Sequence, residues 1–303
     1  MLKSQGGLLE ALNGLARVSD PAVSDVPGVF NSFFGPDPVN LLGVVLLTSL
    51  GTWGLPQMVQ KFYAIKSEQA INKGMIISTI FAALVAGGCY FLGGFGRLFS
   101  DQIDIAADGY DSVIPTMLSG LPTILIAVVV ILVLSASMST LEAVVLTSAS
   151  AVAVDLIPAI RKKETKPKTQ MLLTRILCLA FVACSFIFAT QNIPIIVSLM
   201  SFSWGVVSGC FIGPYIWGLF SKKITKAGAF AGILSGLITV GGATLVISLN
   251  SGFSAAAAKS PEMGVSAMAV SMIIVPLVSA LTGNTDKESD RVNEIFKCYQ
   301  DNL

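Results

Sequence analysis

Seven stretches of about twenty or more mainly apolar residues, 39–59, 74–96, 122–148, 171–190, 194–220, 227–249 and 263–282, leave this chain few ways to fold. A helix needs about 20 apolar residues to cross the hydrocarbon core of a bilayer. In lipid each backbone polar group must also find its partner inside the segment, which a helix provides. The expected class is therefore all-α, a polytopic membrane protein with about seven transmembrane helices. The third stretch stays apolar through Ala151 and Val154 to Ile157, long enough to project beyond the bilayer or to tilt strongly. Composition agrees: 53% of the 303 residues are hydrophobic and 12% charged, against about 25% charged in a soluble domain.

The same composition excludes several functions. A net charge of +1 gives no basic field for a phosphate backbone, so nucleic acid is not an expected partner. The absence of histidine removes histidine proton relays, Ser-His triads and histidine-ligated metals. The five cysteines, Cys89, Cys178, Cys184, Cys210 and Cys298, form no CxxC pair and read as small packing residues. Asp101, Asp104, Asp108 and Asp111 lie between the second and third stretches without EF-hand spacing. They read as a solvated acidic loop, with weak cation attraction as the lesser alternative.

Lys and Arg set the orientation, because they accumulate in cytoplasmic loops. Fifteen of the nineteen, among them Lys61, Lys66, Arg161, Lys162, Lys222, Lys223 and Lys297, fall on one side of the seven-helix arrangement. Lys3, Arg17, Arg97 and Lys259 fall on the other. The richer side is expected to be cytoplasmic, with the C-terminus there and the first 38 residues outside. Leu8, Leu9, Leu12 and Leu15 have amphipathic spacing over too short a length to span, the pattern of a helix lying on the outer interface. An outside start without an export signal suggests that spanning helices belonging upstream are missing, and that the chain is a fragment.

Two places carry candidate chemistry. In residues 39–59, Gly51, Gly54 and Pro56 interrupt an apolar span near its middle. Proline removes a backbone hydrogen bond and clashes with the preceding turn. The freed groups survive in lipid only where protein or a polar cavity covers them. Such broken helices present carbonyls and amides to ions and solutes, although a plain proline kink gives the same signature. Thr48, Ser49, Thr52, Trp53 and Gln57 cluster about the break with hydroxyls, an indole and an amide that a plain kink does not need.

In the third stretch, Ala136, Ser139, Thr140, Ala143 and Thr147 share one helix face by their i, i+3, i+4, i+7, i+11 spacing. One reading is close helix packing, with hydroxyls bonded back to the preceding turn. The other is a set of neutral oxygens for a hard cation such as sodium. Glu142 flanks this face. It is either a hydrogen-bonded carboxyl inside the bundle or an aid to cation binding and coupling. Gly228, Gly232 and Gly236 mark close helix contact, and Gly205, Gly209, Gly213 and Pro214 soften the fifth stretch.

Taken together, the passages GTWGLPQMVQKFYAIKS, SASMSTLEAVVLTSASAVAVDL and GPYIWGLFSKKITKAGAFAG resemble the sodium:solute symporter family, which includes sodium/proline and sodium/galactose transporters. The resemblance extends over about residues 39–282. It implies the LeuT-type fold of two inverted five-helix repeats with the site at their interface. On that basis residues 1–38 form an extracytoplasmic segment with an interfacial helix and residues 39–220 the second repeat. Residues 221–282 form two peripheral transmembrane helices, and residues 283–303 a cytoplasmic tail. An N-terminal repeat of the same transporter is the missing partner.

By position the resemblance implies sodium ligands at Ala136, through its carbonyl, and at Ser139 and Thr140, through their hydroxyls. It implies solute contacts at Thr48, Ser49, Thr52 and Trp53, with Pro56 shaping the break. The chain departs from proline and sugar transporters at Thr52, where those resemble each other in having an aromatic, and at Gln57, which replaces a frequent histidine. The implied solute is thus a small organic molecule that neither proline nor a sugar defines.

The expected function is sodium-coupled symport of that solute across the plasma membrane by alternating access. Sodium is the co-transported ion, no other metal is involved, and no covalent catalysis takes place. The alternative is a partial chain acting as a non-transporting membrane scaffold or subunit. An intramembrane enzyme resting on Glu142 and Asp155 is weaker, since no nucleophile is paired with a base.

Overall fold

Apolar composition without strand-type alternation makes the seven stretches helical, and the positions of the caps decide where the helices start. The computed structural model describes residues 5–20, 23–62, 65, 67–103, 112–162, 166–190, 196–283 and 286–300. Helix α1 spans Leu8–Arg17 and α2 spans Pro38–Ser49; a tight turn over Gly51–Gly54 leads to α3, Pro56–Phe62. Helix α4, Glu68–Gly94, continues as a 3₁₀ turn through Phe95–Gln102, followed by α5, Val113–Leu118. Helix α6, Thr123–Ser150, passes through a π-helical segment, Ala151–Leu156, into α7, Ile157–Arg161. Then come α8, Pro167–Ala189; α9, Ile196–Phe220; α10, Lys226–Ser251; α11, Phe253–Ala258; α12, Ser260–Thr282; and α13, Asp286–Gln300. No strand forms among the described residues. The chain is an all-α polytopic membrane protein.

Among the described residues, five helical runs are long and apolar enough to cross a bilayer: Gln69–Ser100, Thr123–Arg161, Pro167–Ala189, Lys226–Ser251 and Ser260–Thr282. Of the other two stretches, 39–59 is divided into α2 and α3 as Pro56 predicts, and 194–220 becomes the 25-residue α9 with Pro214 inside it. The run Thr123–Arg161 is 39 residues long, in keeping with the expected extension of the third stretch. Capping places the starts. The Asp37 carboxylate accepts from the Asn40 amide at 3.0 Å ahead of α2, and Ser67 accepts from Ala70 at 3.3 Å ahead of α4. Asp104, Asp108 and Asp111 lie outside the described residues, as does the side chain of Asp101.

The chain separates into two compact units. The first comprises residues 1–36 and 66–194. Here the amphipathic α1 forms as its spacing predicts. Its buried Ala11 and Leu15 pack on Phe95, Phe99 and Met117, while Leu9 is exposed. Arg97 fastens the same region, bonding the Asp20 carboxylate at 3.0 Å and lying 3.9 Å over the Phe30 ring. Helix α6 packs beside α8.

The second unit comprises residues 37–65 and 195–303 and is organised around α9, α10 and α12. Leu47, Ile212 and Met268 form a core there. The glycine rows pack as their spacing predicts. Gly232 faces Val275 and Pro214, and Gly236 lies so close to the Gly209–Cys210 backbone that any side chain would collide with it. Cys210 is buried in this packing, whereas Cys89 and Cys184 are exposed on their helices. The expectation that the cysteines are packing residues therefore holds inside this chain only for Cys210. Cys178 is half-buried, and the Cys298 side chain is not among the described atoms.

Candidate functional site

The break between α2 and α3 is built by a small number of contacts inside the second unit. Proline at position 56 has no amide to offer to the preceding turn. The backbone responds at Leu55, which is extended (φ −87°, ψ 116°) and buried. The carbonyls that a continuous helix would have used each acquire another partner. Ser49 O accepts from the Thr52 hydroxyl at 3.1 Å, Leu50 O from the Trp53 amide at 3.1 Å and Thr52 O from the Leu55 amide at 3.3 Å. Gly51 O accepts from the Ser208 hydroxyl of α9 at 2.8 Å.

Ser208 is fully buried, and the two glycines exist to admit it. A methyl group on Gly54 would lie 2.9 Å from the Ser208 carbonyl oxygen, and one on Gly51 would lie 3.0 Å from the Ser208 hydroxyl. The sequence reading did not single out Ser208. Its signal is indirect: a break in lipid demands a donor, and Ser208 is a hydroxyl near the middle of another apolar stretch.

The four expected solute contacts divide. Thr48 and Ser49 are exposed at the end of α2, and Thr48 bonds back to Val44 O at 2.8 Å. Thr52 is half-buried, with its hydroxyl engaged at Ser49. Trp53 is 55% exposed and forms a wall of two apolar cavities. One, of about 440 Å³, is lined with Pro56, Phe211 and Tyr215; the other, of about 260 Å³, with Leu50, Ile212 and Met268. The indole thus presents a large apolar face at the break, while the threonine hydroxyls serve the backbone.

The hydroxyl face of α6 lies in the first unit. The Thr140 hydroxyl donates to Ala136 O at 3.1 Å, so two of the three expected sodium ligands are side by side. The bond leaves lone pairs on both oxygens. Ser139 points elsewhere. With Ser135, Glu142 and Cys178 it lines a cavity of about 720 Å³ between α6 and α8. Ala136, Ser139, Thr140 and Glu142 are all exposed on this chain, so packing inside the unit does not account for the face. Further along, Thr147 bonds Ala143 O at 2.7 Å, and both residues are half-buried. That end of the face follows the packing reading. No group of three or more acidic, cysteine or histidine residues suited to a metal occurs among the described residues.

The model of the sodium:solute symporter family matches residues 2–236. The chain belongs to the sodium:solute symporter family. Its relatives include the high-affinity proline transporter PutP of Bacillus subtilis, 28% identical over 287 residues, covering 91% of the chain and 56% of that protein. The sodium/pantothenate symporter of Haemophilus influenzae is 26% identical over 238 residues, 77% of the chain and 47% of that protein. The sodium/proline symporter of Escherichia coli is 25% identical over 214 residues, 67% of the chain and 43% of that protein. The chain spans about half the length of the curated relatives it matches. No solved structure matches it.

Proposed function

We propose that the chain takes part in sodium-coupled symport of a small organic solute across the plasma membrane by alternating access. The observation that carries this reading is the break at Gly51–Pro56. It is supported by a buried hydroxyl from another helix and flanked by an exposed tryptophan, rather than collapsed into a kink. Membership of a family whose matched relatives are named for proline and pantothenate transport supports the same class of solute.

In this reading the Ala136 carbonyl and the Ser139 and Thr140 hydroxyls contribute neutral oxygens to sodium, and Glu142 adds negative charge beside them. Trp53 packs against the solute, while Thr48, Ser49 and Thr52 edge its path and Gly51, Gly54 and Pro56 keep the break open. The division of the chain follows the family's repeat, with residues 39–220 as five helices of the core and residues 221–282 as peripheral helices. The distribution of basic residues supports a cytoplasmic C-terminus. At 100 mV, each sodium charge entering the cell contributes about 2.3 kcal/mol to solute accumulation.

The test is solute uptake as a function of sodium concentration in cells producing the protein, with Ser139→Ala and Thr140→Ala compared with the parent. Each substitution is expected to raise the sodium concentration for half-maximal uptake about tenfold, the order of one lost contact to a charged group. Unchanged sodium dependence in both variants would remove α6 from the ion site. A protein without sodium-driven uptake of any solute in a broad panel would favour the scaffold reading.

A further inference from the structure

A cavity of about 450 Å³ lies in the second unit, at the end of the bundle where α9 and α12 finish and α10 begins. Transport as proposed above makes no use of it. Its walls include Trp217, Ser221, Lys222, Lys223, Ser279 and Ser289, and among the described residues both charged side chains that line it are lysines. Among the described residues neither lysine forms a salt bridge.

The walls are fixed from several directions. The Trp217 indole donates to Met272 O at 2.8 Å, the carbonyl that Pro276, four residues later, leaves unpaired. The Thr225 amide donates to the Ser279 hydroxyl at 3.2 Å, tying the start of α10 to α12. The Lys223 amide donates to the Ser221 hydroxyl at 3.3 Å, which shapes the loop. Lys222 is held with its Nζ 5.5 Å from the centre of the Phe296 ring of α13. The start of α10 next to them is closed by Thr225, whose hydroxyl accepts from the Gly228 amide at 3.0 Å.

We infer that this cavity binds an anionic phosphate group, supplied by the headgroup of a phospholipid. Lysines that follow a membrane helix ordinarily do no more than orient it. Here they line a walled space together with hydroxyls able to donate to phosphate oxygens. An indole, the ring that membrane–water boundaries favour, forms one side. The cavity lies at the ends of apolar helices, where a headgroup resides. A compact space with positive charge and hydroxyl donors suits a phosphate more closely than it suits a zwitterion's cationic end.

The experiment uses the intact chain in nanodiscs of phosphatidylcholine alone or with phosphatidylglycerol, and native mass spectrometry counts the phosphatidylglycerol retained. The parent is expected to retain phosphatidylglycerol preferentially and to unfold at a higher temperature in its presence. Removing each lysine weakens retention about fivefold, the contribution of one lysine near an anionic membrane surface. Lys222→Ala/Lys223→Ala is therefore expected to lose the preference, and Lys222→Arg/Lys223→Arg to keep it. Equal unfolding temperatures in plain phosphatidylcholine establish that the variants are folded. If the double alanine variant does not fold, Ser289→Glu places a carboxylate in the wall and is expected to reduce retention in the same way.

A second arm titrates inorganic phosphate into phosphatidylcholine discs. Lysine-dependent stabilisation in that arm supports the cavity as a phosphate site and shifts the source from lipid to free phosphate. Retention and stability independent of both lysines in the two arms would overturn the proposal.

Discussion

The break between α2 and α3 and the hydroxyl face of α6 both place oxygen atoms inside apolar helices, yet the chain treats them in opposite ways. At the break, Gly51 and Gly54 are buried, their surroundings come from α9, and the Gly51 carbonyl is bonded by the buried Ser208. On α6, Ala136, Ser139, Thr140 and Glu142 are exposed, and the Thr140 hydroxyl bonds to its own preceding turn. The first geometry is imposed by tertiary packing and costs stability when disturbed. The second follows from helix periodicity alone, so substitutions there should change ligand binding and leave folding nearly untouched.

The largest effect is expected at Gly54. A leucine there would bring a Cβ within 3.1 Å of the Ser208 backbone and the Ile212 amide, neither of which can rotate away. Overpacking of this kind costs typically about 3 kcal/mol. Gly54→Leu is expected to lower the unfolding temperature of the purified protein markedly and to abolish uptake together with it. A variant with the parent's unfolding temperature would show that the break does not depend on close approach of α9.

Ser208→Ala comes next. It leaves Gly51 O buried without its donor, at a cost of about 2 kcal/mol. Chemical unfolding in detergent should resolve that loss, while Ser208→Thr, which keeps the hydroxyl, should recover part of it if the extra methyl fits. Equal stability of the alanine variant would mean that the Gly51 carbonyl finds water or another donor. Thr140→Ala provides the contrast. An exposed hydroxyl bonded only to its own helix contributes within about 0.5 kcal/mol to stability, so the tenfold loss of sodium affinity should appear with an unchanged unfolding temperature. A parallel loss of stability would erase the distinction between the two regions.

The helices and the position of the break were legible because both are local. Apolar runs exceed the length a bilayer demands, and Pro56 stops a helix whatever surrounds it. Ser208 was not legible, because its role is set by a partner 157 residues away and nothing in its neighbours distinguishes it from a packing serine. Trp217 is similar: only the fold reveals that its indole caps the carbonyl left by Pro276. For Thr140, spacing identifies the face and leaves back-bonding and ion binding as alternatives, and the 3.1 Å bond to Ala136 O shows the back-bonded arrangement, with the two oxygens side by side. That Ser139 lines the cavity and Thr140 does not depends on where α8 lies. Periodicity alone does not contain that information.

The smallest effect is expected at Glu142, which tests whether the cavity between α6 and α8 acts on the ion electrostatically. Glu142 and Ser139 line that cavity together, one helical turn apart. For an ion at a separation of about 8 Å, a unit charge contributes about 0.5 kcal/mol at the dielectric of water, or about twofold in affinity. Glu142→Gln keeps size and hydrogen-bonding capacity while removing the charge. The variant is expected to need about twofold more sodium for half-maximal uptake, to keep its unfolding temperature, and to show the difference most clearly at low ionic strength, where screening is weakest. Combined with Ser139→Ala, the two losses should be less than additive if both groups act on the same ion. Strict additivity, or a parent-like sodium dependence of Glu142→Gln, would assign Glu142 to the wall of the cavity and leave the neutral oxygens of α6 to hold the cation without it.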